Sequence, residues 1–218
     1  MKLIGDLHGI SKIPGIMRKL KGKTSKIPGI ADQPSDEVLC VGDVGLGFPG
    51  IGDAPSLSSR FWFIRGNHDK PLACKHHPQF ALDYGMWRGM FLIGGARSVD
   101  KEQRTEFKNW WRDEELSYQE CSEALELYRE AKPRIVVSHD CPFSMQQIMK
   151  AAVVRRDPAL VQYGEPRPYN QTTMMDEMLK IHEPEYWFFG HWHISIQFKI
   201  RATQFRCLEC AEVVDVPS

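Results

Sequence analysis

Residues 61–69 read Phe61-Trp62-Phe63-Ile64-Arg65-Gly66-Asn67-His68-Asp69. A short apolar run stops abruptly at a glycine and a cluster of polar side chains. A run this short, aromatic and bounded by glycine reads as a buried strand. Polar groups at strand ends are where an α/β scaffold presents its chemistry. The same phrase recurs along the chain. Lys2–Ile4 precedes Gly5-Asp6-Leu7-His8, and Val38–Val41 precedes Gly42-Asp43. Phe91–Ile93 precedes Gly94-Gly95, and Ile135–Val137 precedes Ser138-His139-Asp140. Tyr186–Phe189 precedes Gly190-His191-Trp192-His193, and Ile194–Ile200 and Thr203–Leu208 follow as two more strands. Loose alternation of Ile194, Ile196, Phe198 and Ile200 predicts one buried face for the first of these.

Helical segments lie between the strands. Ser117–Ala131 carries Cys121, Ala124, Leu125, Tyr128 and Ala131 at helical spacing, with Ser117 and Glu120 as a capping box and Pro133 as a stop. Met145–Arg155 and Thr172–His182 read as helices, the second capped by Thr172 or Thr173 and ended by Pro184. Ile10–Leu20 is a weaker helix, with Pro14 near its first turn. Residues 157–169 contain Pro158, Gly164, Pro166 and Pro168 and read as a loop, with Arg155, Arg156 and Arg167 near it. The pentapeptide Lys-Ile-Pro-Gly-Ile at 12–16 and 26–30 has no third copy and reads as coincidence. No stretch resembles a linker, so the expectation is one α/β domain over 1–218.

Composition narrows the function classes. In 218 residues, 28 Lys+Arg balance 28 Asp+Glu, and 42% of residues are hydrophobic. That excludes disorder as the main state and argues against a long basic track for duplex nucleic acid. No apolar window reaches the roughly 18 residues of a membrane span, and the N-terminus lacks an apolar signal core. The expected setting is cytoplasmic, with reduced thiols. Cys207 and Cys210 form a lone C-x-x-C without the further ligands of a structural zinc, and read as packing residues.

The strand ends carry metal-ligand chemistry. In Asp6-x-His8 and His191-x-His193, two donors two residues apart project to the same side of an extended segment. Asp43 adds a carboxylate with two oxygens, Asn67 a neutral carbonyl, and His139 an imidazole. One such residue alone is more often a structural turn. The set is different: of the eight histidines, His8, His68, His139, His191 and His193 all fall after apolar runs. His76, His77 and His182 lie outside the pattern and read as surface residues. The donors exceed what one ion takes and suit two divalent metals sharing Asp43, about 3.5–4 Å apart. With no thiolate in the set, Mn²⁺ leads, and Fe, Zn²⁺ or Ni²⁺ also suit it.

The ordered motifs from Gly5-Asp6-Leu7-His8 to Gly190-His191-Trp192-His193, with Gly42-Asp43, Gly66-Asn67-His68-Asp69 and His139 between, resemble the calcineurin-like metallophosphoesterases. The resemblance implies a two-sheet β-sandwich flanked by helices and a two-metal site at the sheet ends. It assigns Asp6, His8, Asp43 and His193 to one metal, and Asp43, Asn67, His139 and His191 to the other. It makes His68 the catalytic residue at the scissile phosphate. The implied reaction is hydrolysis of a phosphate mono- or diester by a metal-bridging hydroxide, with His68 as general acid. The protein phosphatase branch reads Gly-Asp-x-x-Asp-Arg-Gly at its second motif; here Leu46 and Gly47 stand in place of the second aspartate and the arginine. A dedicated protein phosphatase is therefore not expected.

Arg65 and Arg97 are candidate contacts to a substrate phosphate, with surface salt bridges as the alternative. Asp69 and Asp140 are candidates to hold imidazole tautomers, or else turn residues. Trp110-Trp111 reads as packing, ahead of a stacking platform for a base. The expected partner is a small phosphate ester, with nucleic acid only as substrate and no membrane. A nuclease acting on nucleic-acid ends and an inactive binding scaffold are the alternatives; the scaffold is disfavoured because His68 and all the ligand positions are filled.

Overall fold

The computed structural model describes residues 1–9, 12–21, 37–52, 56–159 and 166–217. Ten short strands are present among them: β1 (Lys2–Ile4), β2 (Val38–Cys40), β3 (Phe61–Phe63), β4 (Tyr84–Trp87), β5 (Met90–Ile93), β6 (Ile135–Ser138), β7 (Tyr186–Phe189), β8 (Ile196–Ile200), β9 (Thr203–Cys207) and β10 (Val213–Asp215). They form a four-stranded sheet in the order β10-β1-β2-β3 and a six-stranded sheet in the order β4-β5-β6-β7-β9-β8. β1, β2 and β3 run parallel, as do β5, β6, β7 and β9, while β10, β4 and β8 pair antiparallel. Parallel strands covered on both faces need apolar residues throughout, which is why they were visible as unbroken runs.

Alternate side chains of each strand enter different layers. Leu3, Leu39, Val41 and Ile64 of the small sheet meet Leu92, Val137 and Phe188 of the large one. Ile4, Val38, Cys40, Phe61 and Phe63 face the other way, with Ile13, Met17, Ala73 and Cys74. Those residues come from α1 (Ile13–Lys21) and α2 (Pro71–His76). On the far face of the large sheet, Phe91, Val136, Trp187 and Phe189 pack on α3 (Tyr118–Ala131), α4 (Phe143–Arg156) and α5 (Asn170–Ile181). The result is the expected sandwich of two sheets flanked by helices. Trp187 is fully buried; truncating it to alanine would cost about 3–5 kcal/mol.

Helix ends follow local chemistry. Ser117 caps α3: its Oγ accepts the Glu120 N–H at 3.2 Å, and the Glu120 carboxylate accepts the Ser117 N–H at 2.8 Å. Neither Thr172 nor Thr173 stands at the start of α5. That helix begins at Asn170, and the Thr172 Oγ1 reaches back to accept the Tyr169 N–H at 3.2 Å. The α4 start has no cap of its own, and Asp176 of α5 accepts both the N–H and the Oγ–H of Ser144. Among the described residues no helix is long and apolar enough to cross a membrane. The second Lys-Ile-Pro-Gly-Ile copy and residues 160–165 of the 157–169 loop lie outside the described residues.

Candidate metal centre

The parallel strands deliver their following loops to one end of the sandwich. Asp6 and His8 follow β1, Asp43 follows β2, Asn67 and His68 follow β3, His139 follows β6, and His191 and His193 follow β7. His8, Asp43, His191 and His193 adopt left-handed backbone, with φ of 47°, 54°, 66° and 50°. Non-glycine residues are rare there, and they cluster at functional sites. The glycines of the motifs leave room for the ligands. A Cβ on Gly66 would stand 2.1 Å from Asp43 Oδ1, and one on Gly190 would stand 2.2 Å from Asp6 Oδ1.

One donor atom each from Asp6, His8, Asp43 and His193 lies within 4.8 Å of all the others. His8 Nε2 is 2.8 Å from His193 Nε2, and His193 Nε2 is 3.3 Å from Asp6 Oδ2. Asp43 spans two neighbourhoods: Oδ2 lies 3.8 Å from His8 Nε2, and Oδ1 lies 3.4 Å from His139 Nε2. Around His139, Asn67 Oδ1 is 3.2 Å from His139 Nε2 and 3.0 Å from His191 Nδ1. The His139 Nδ1 is 2.9 Å from the Val41 carbonyl, which leaves Nε2 aimed at Asp43.

These donors fit divalent cations on two observations. Asp6 Oδ1 is buried with no hydrogen-bond partner. An unmatched buried carboxylate oxygen is costly, and a cation removes the cost. The charge distribution agrees. Burial lowers the pKa of His8 and of His191, which leaves lone pairs free. Burial opposes charge on His139 too, but Asp43 and Asp6 overcome it and raise the imidazole to about 10. Burial would raise Asp43, yet His139, His68 and His8 hold it well below the usual carboxylate range. Without metal, a proton on His139 stands in for a cation beside Asp43.

His68 lies beside this cluster. Its N–H donates to Asp43 Oδ1 at 2.8 Å, and its ring stacks on Phe48 with centroids 5.1 Å apart. Its Nε2 is 2.9 Å from Arg104 Nη2. Burial, with Arg104 and His8 opposing the pull of Asp43, lowers His68 to about 4. Arg104 is largely buried, with Nε 2.6 Å from Asp100 Oδ1. The sequence reading missed Arg104: it sits beyond the 3-10 turn Lys101–Gln103, with no strand or motif to announce it. Ser98 and Glu114 were missed as well. Asn67 Nδ2 donates to Ser98 Oγ at 3.1 Å, and Ser98 Oγ donates to Glu114 Oε2 at 2.6 Å. Ser98 follows β5 and Gly94-Gly95, so strand-end position was an available signal.

The other candidates have different neighbours. Arg65 is 1% exposed; it pairs with Asp83 and donates to the Glu114 carbonyl at 2.5 Å. Arg97 pairs with Glu115 at 2.8 Å and lies over the Tyr169 ring. Asp69 accepts backbone N–H groups from Val44, Gly45, Leu46 and Gly66, and so pins the loop that follows β2. Burial and the Asp43 charge raise Asp69 to about 6 against those bonds. Asp140 accepts from Gln146, Tyr169 and Trp192 and from the Cys141 N–H. Trp111 is buried edge-on to Phe48, at 5.4 Å between centroids. His77 is not a surface residue: its ring is buried against Phe63. His182 is half-buried, with Nε2 3.0 Å from the Pro133 carbonyl.

No curated protein sequence matches the chain. Among solved structures, the phosphopantetheinyl hydrolase PptH from Mycobacterium tuberculosis is similar at 13% identity and a TM-score of 0.42, over 96% of this chain and 89% of that one. The family model for calcineurin-like phosphoesterases matches residues 2–195, a span that takes in every strand-end motif from Asp6 to His193. The chain therefore belongs to the calcineurin-like phosphoesterases and is a hydrolase of phosphoester bonds.

Proposed function

We propose that the chain hydrolyses small phosphate mono- or diesters with two divalent metals, His68 acting as general acid and Arg104 as a phosphate contact. The observation that carries this reading is the meeting of Asp6, His8, Asp43 and His193 within 4.8 Å, with His68 and Arg104 on the adjoining wall. In this reading Asp6, His8, Asp43 and His193 hold one ion, and Asp43, Asn67, His139 and His191 hold the other. The two cations supply an activated water and neutralise charge on the phosphate. Carboxylate, amide and imidazole donors suit manganese first, with iron, zinc and nickel as competitors.

The protein's own groups prepare the other side of the substrate. Arg104 stays charged at any working pH and presents a planar pair of donors to phosphate oxygens. His68 is neutral when it faces Arg104 alone. A phosphate ester between them brings negative charge that favours the protonated ring. His68 then donates its Nε2 proton to the departing alkoxide. Phe48 holds the ring plane by stacking. The balance of 28 basic and 28 acidic residues supports a small substrate over a long polyanion.

The test is hydrolysis of a chromogenic monoester and diester by manganese-loaded protein, alongside His68→Ala and metal analysis. The expected result is loss of at least about 100-fold in turnover, the scale of general acid catalysis, with both metals retained. Full activity in His68→Ala would sink the assignment.

A further inference from the structure

Cys210 differs from the other cysteines. Cys40, Cys74, Cys121, Cys141 and Cys207 are buried, whereas Cys210 is exposed. Its Sγ and one ring nitrogen each of His8 and His193 lie within 4.8 Å of one another. Those two histidines are the same ones that meet Asp6 and Asp43. Burial runs from floor to rim: Asp6 and Asp43 are buried, His8 and His193 are half-buried, and the thiol stands at the edge.

The backbone holds Cys210 in this place. The segment after β9 is tied to the loop that carries Asp6 by two hydrogen bonds just past the cysteine. The Ala211 N–H donates to the Asp6 carbonyl at 3.0 Å, and the Gly5 N–H donates to the Glu212 carbonyl at 2.9 Å. Gly5 and Glu209 approach so closely that a Cβ on Gly5 would stand 2.0 Å from the Glu209 carbonyl oxygen. The neighbouring Asp6 turns Oδ2 to His193 Nε2 at 3.3 Å and keeps Oδ1 buried without a partner, a carboxylate whose charge a cation at this group would offset.

We propose that Cys210 is a thiolate ligand to the ion held by His8 and His193, and that this position therefore takes zinc or another borderline metal in preference to manganese. The proposal rests on the reading of the cluster as a metal site. Zinc bonds of about 2.0–2.1 Å to imidazole and 2.3 Å to sulfur place donors around one ion closer together than the 4.8 Å that bounds these three atoms. Binding replaces the S–H bond by an S–metal bond and releases one proton to solvent. A thiolate enlarges the preference for zinc over manganese beyond what carboxylate and imidazole donors give. The buried position at Asn67, His139 and His191 has no thiol, so the two positions differ in metal preference.

The experiment is titration of the metal-free full chain with cobalt(II), read by absorption and by metal analysis. The expected result is two cobalt ions per chain and a thiolate-to-cobalt charge-transfer band in the near ultraviolet. Cys210→Ser should keep both ions and lose the band, and its zinc affinity should fall by about tenfold or more with manganese affinity nearly unchanged. Alkylation of Cys210 by iodoacetamide, mapped by peptide mass, should be slowed by zinc. A band that survives in Cys210→Ser, or two bound ions with no band, overturns the thiolate ligand and leaves the metal site standing. No bound cobalt overturns both.

Discussion

The two halves of the site share Asp43 but are built differently. The half formed by Asp6, His8 and His193 opens to solvent, with the His193 side chain 44% exposed. The half formed by Asn67, His139 and His191 lies deeper, with His139 fully buried and Asn67 at 3%. Protein hydrogen bonds hold the deep half: Val41 fixes His139, and the Ser98–Glu114 pair fixes Asn67. The open half has few such supports beyond the His191 N–H on Asp6 Oδ2. In the proposed enzyme, preorganisation by partners behind the ligands makes the deep position tight and slow to exchange. The open position then exchanges with solvent and faces the substrate.

Asp43→Asn is the change with the largest expected effect, because it removes the one group common to both halves. Both metals should be weakened and turnover should fall by about 1,000-fold or more, the scale reported for losing electrostatic stabilisation. Metal analysis of the purified variant checks this; retention of both ions at full activity would show that the halves are independent. Glu114→Gln should act on the deep half alone. Losing the charge behind Ser98 and Asn67 should weaken one of two ions by about 10- to 100-fold, visible as a split between two binding steps in calorimetry.

The pH dependence separates the halves as well. The metal-free His139 is raised to about 10, so an ion entering the deep half must displace a proton at every lower pH. Affinity there should rise by up to about tenfold per pH unit between 6.5 and 9. His8 is lowered by burial and is already neutral, so in Cys210→Ser, where no thiol proton is released, the open half should show little slope over that range. The same raised pKa stabilises the metal-free fold. Its contribution is complete below the unfolded value of 6.5 and is lost as pH rises through about 10. The Tm of metal-free protein should therefore fall from pH 7 to 10, and a flat profile would remove His139 as the cause.

Arg104→Ala has the smallest expected effect of these. Loss of one charged hydrogen-bond donor should raise KM by about tenfold with metal content unchanged. Inhibition by inorganic phosphate should weaken in parallel; a fall in kcat alone would make Arg104 a positioning residue for His68 instead.

The legible and illegible parts of the molecule divide along physical lines. β1, β2, β3, β6 and β7 were readable because buried parallel strands must be apolar on both faces. β4 and β10 were not: Tyr84-Gly85-Met86-Trp87 carries a glycine, and Val213–Asp215 is a three-residue edge strand. The short α2 was missed for want of two helical turns. The positions of the clustered donors could be read because each follows an apolar strand; projection from an extended chain is not what unites them, since His8, His191 and His193 have left-handed backbone. Arg104 and Cys210 could not, since tertiary packing alone brings them in. Arg104 reaches His68 across 36 residues of chain, and Cys210 returns to His193 through the β8–β9 hairpin.

The left-handed backbone at His8, Asp43, His191 and His193 has a consequence for how such a protein can change over generations. Each position costs about 1–2 kcal/mol relative to a relaxed backbone, and a whole domain is stable by only about 5–15 kcal/mol. Glycine or asparagine at these positions relieves the cost and removes a donor in the same step. A lineage or a laboratory screen rewarded for heat resistance alone would therefore discard the chemistry first, and keep a sturdier sandwich with nothing at its end.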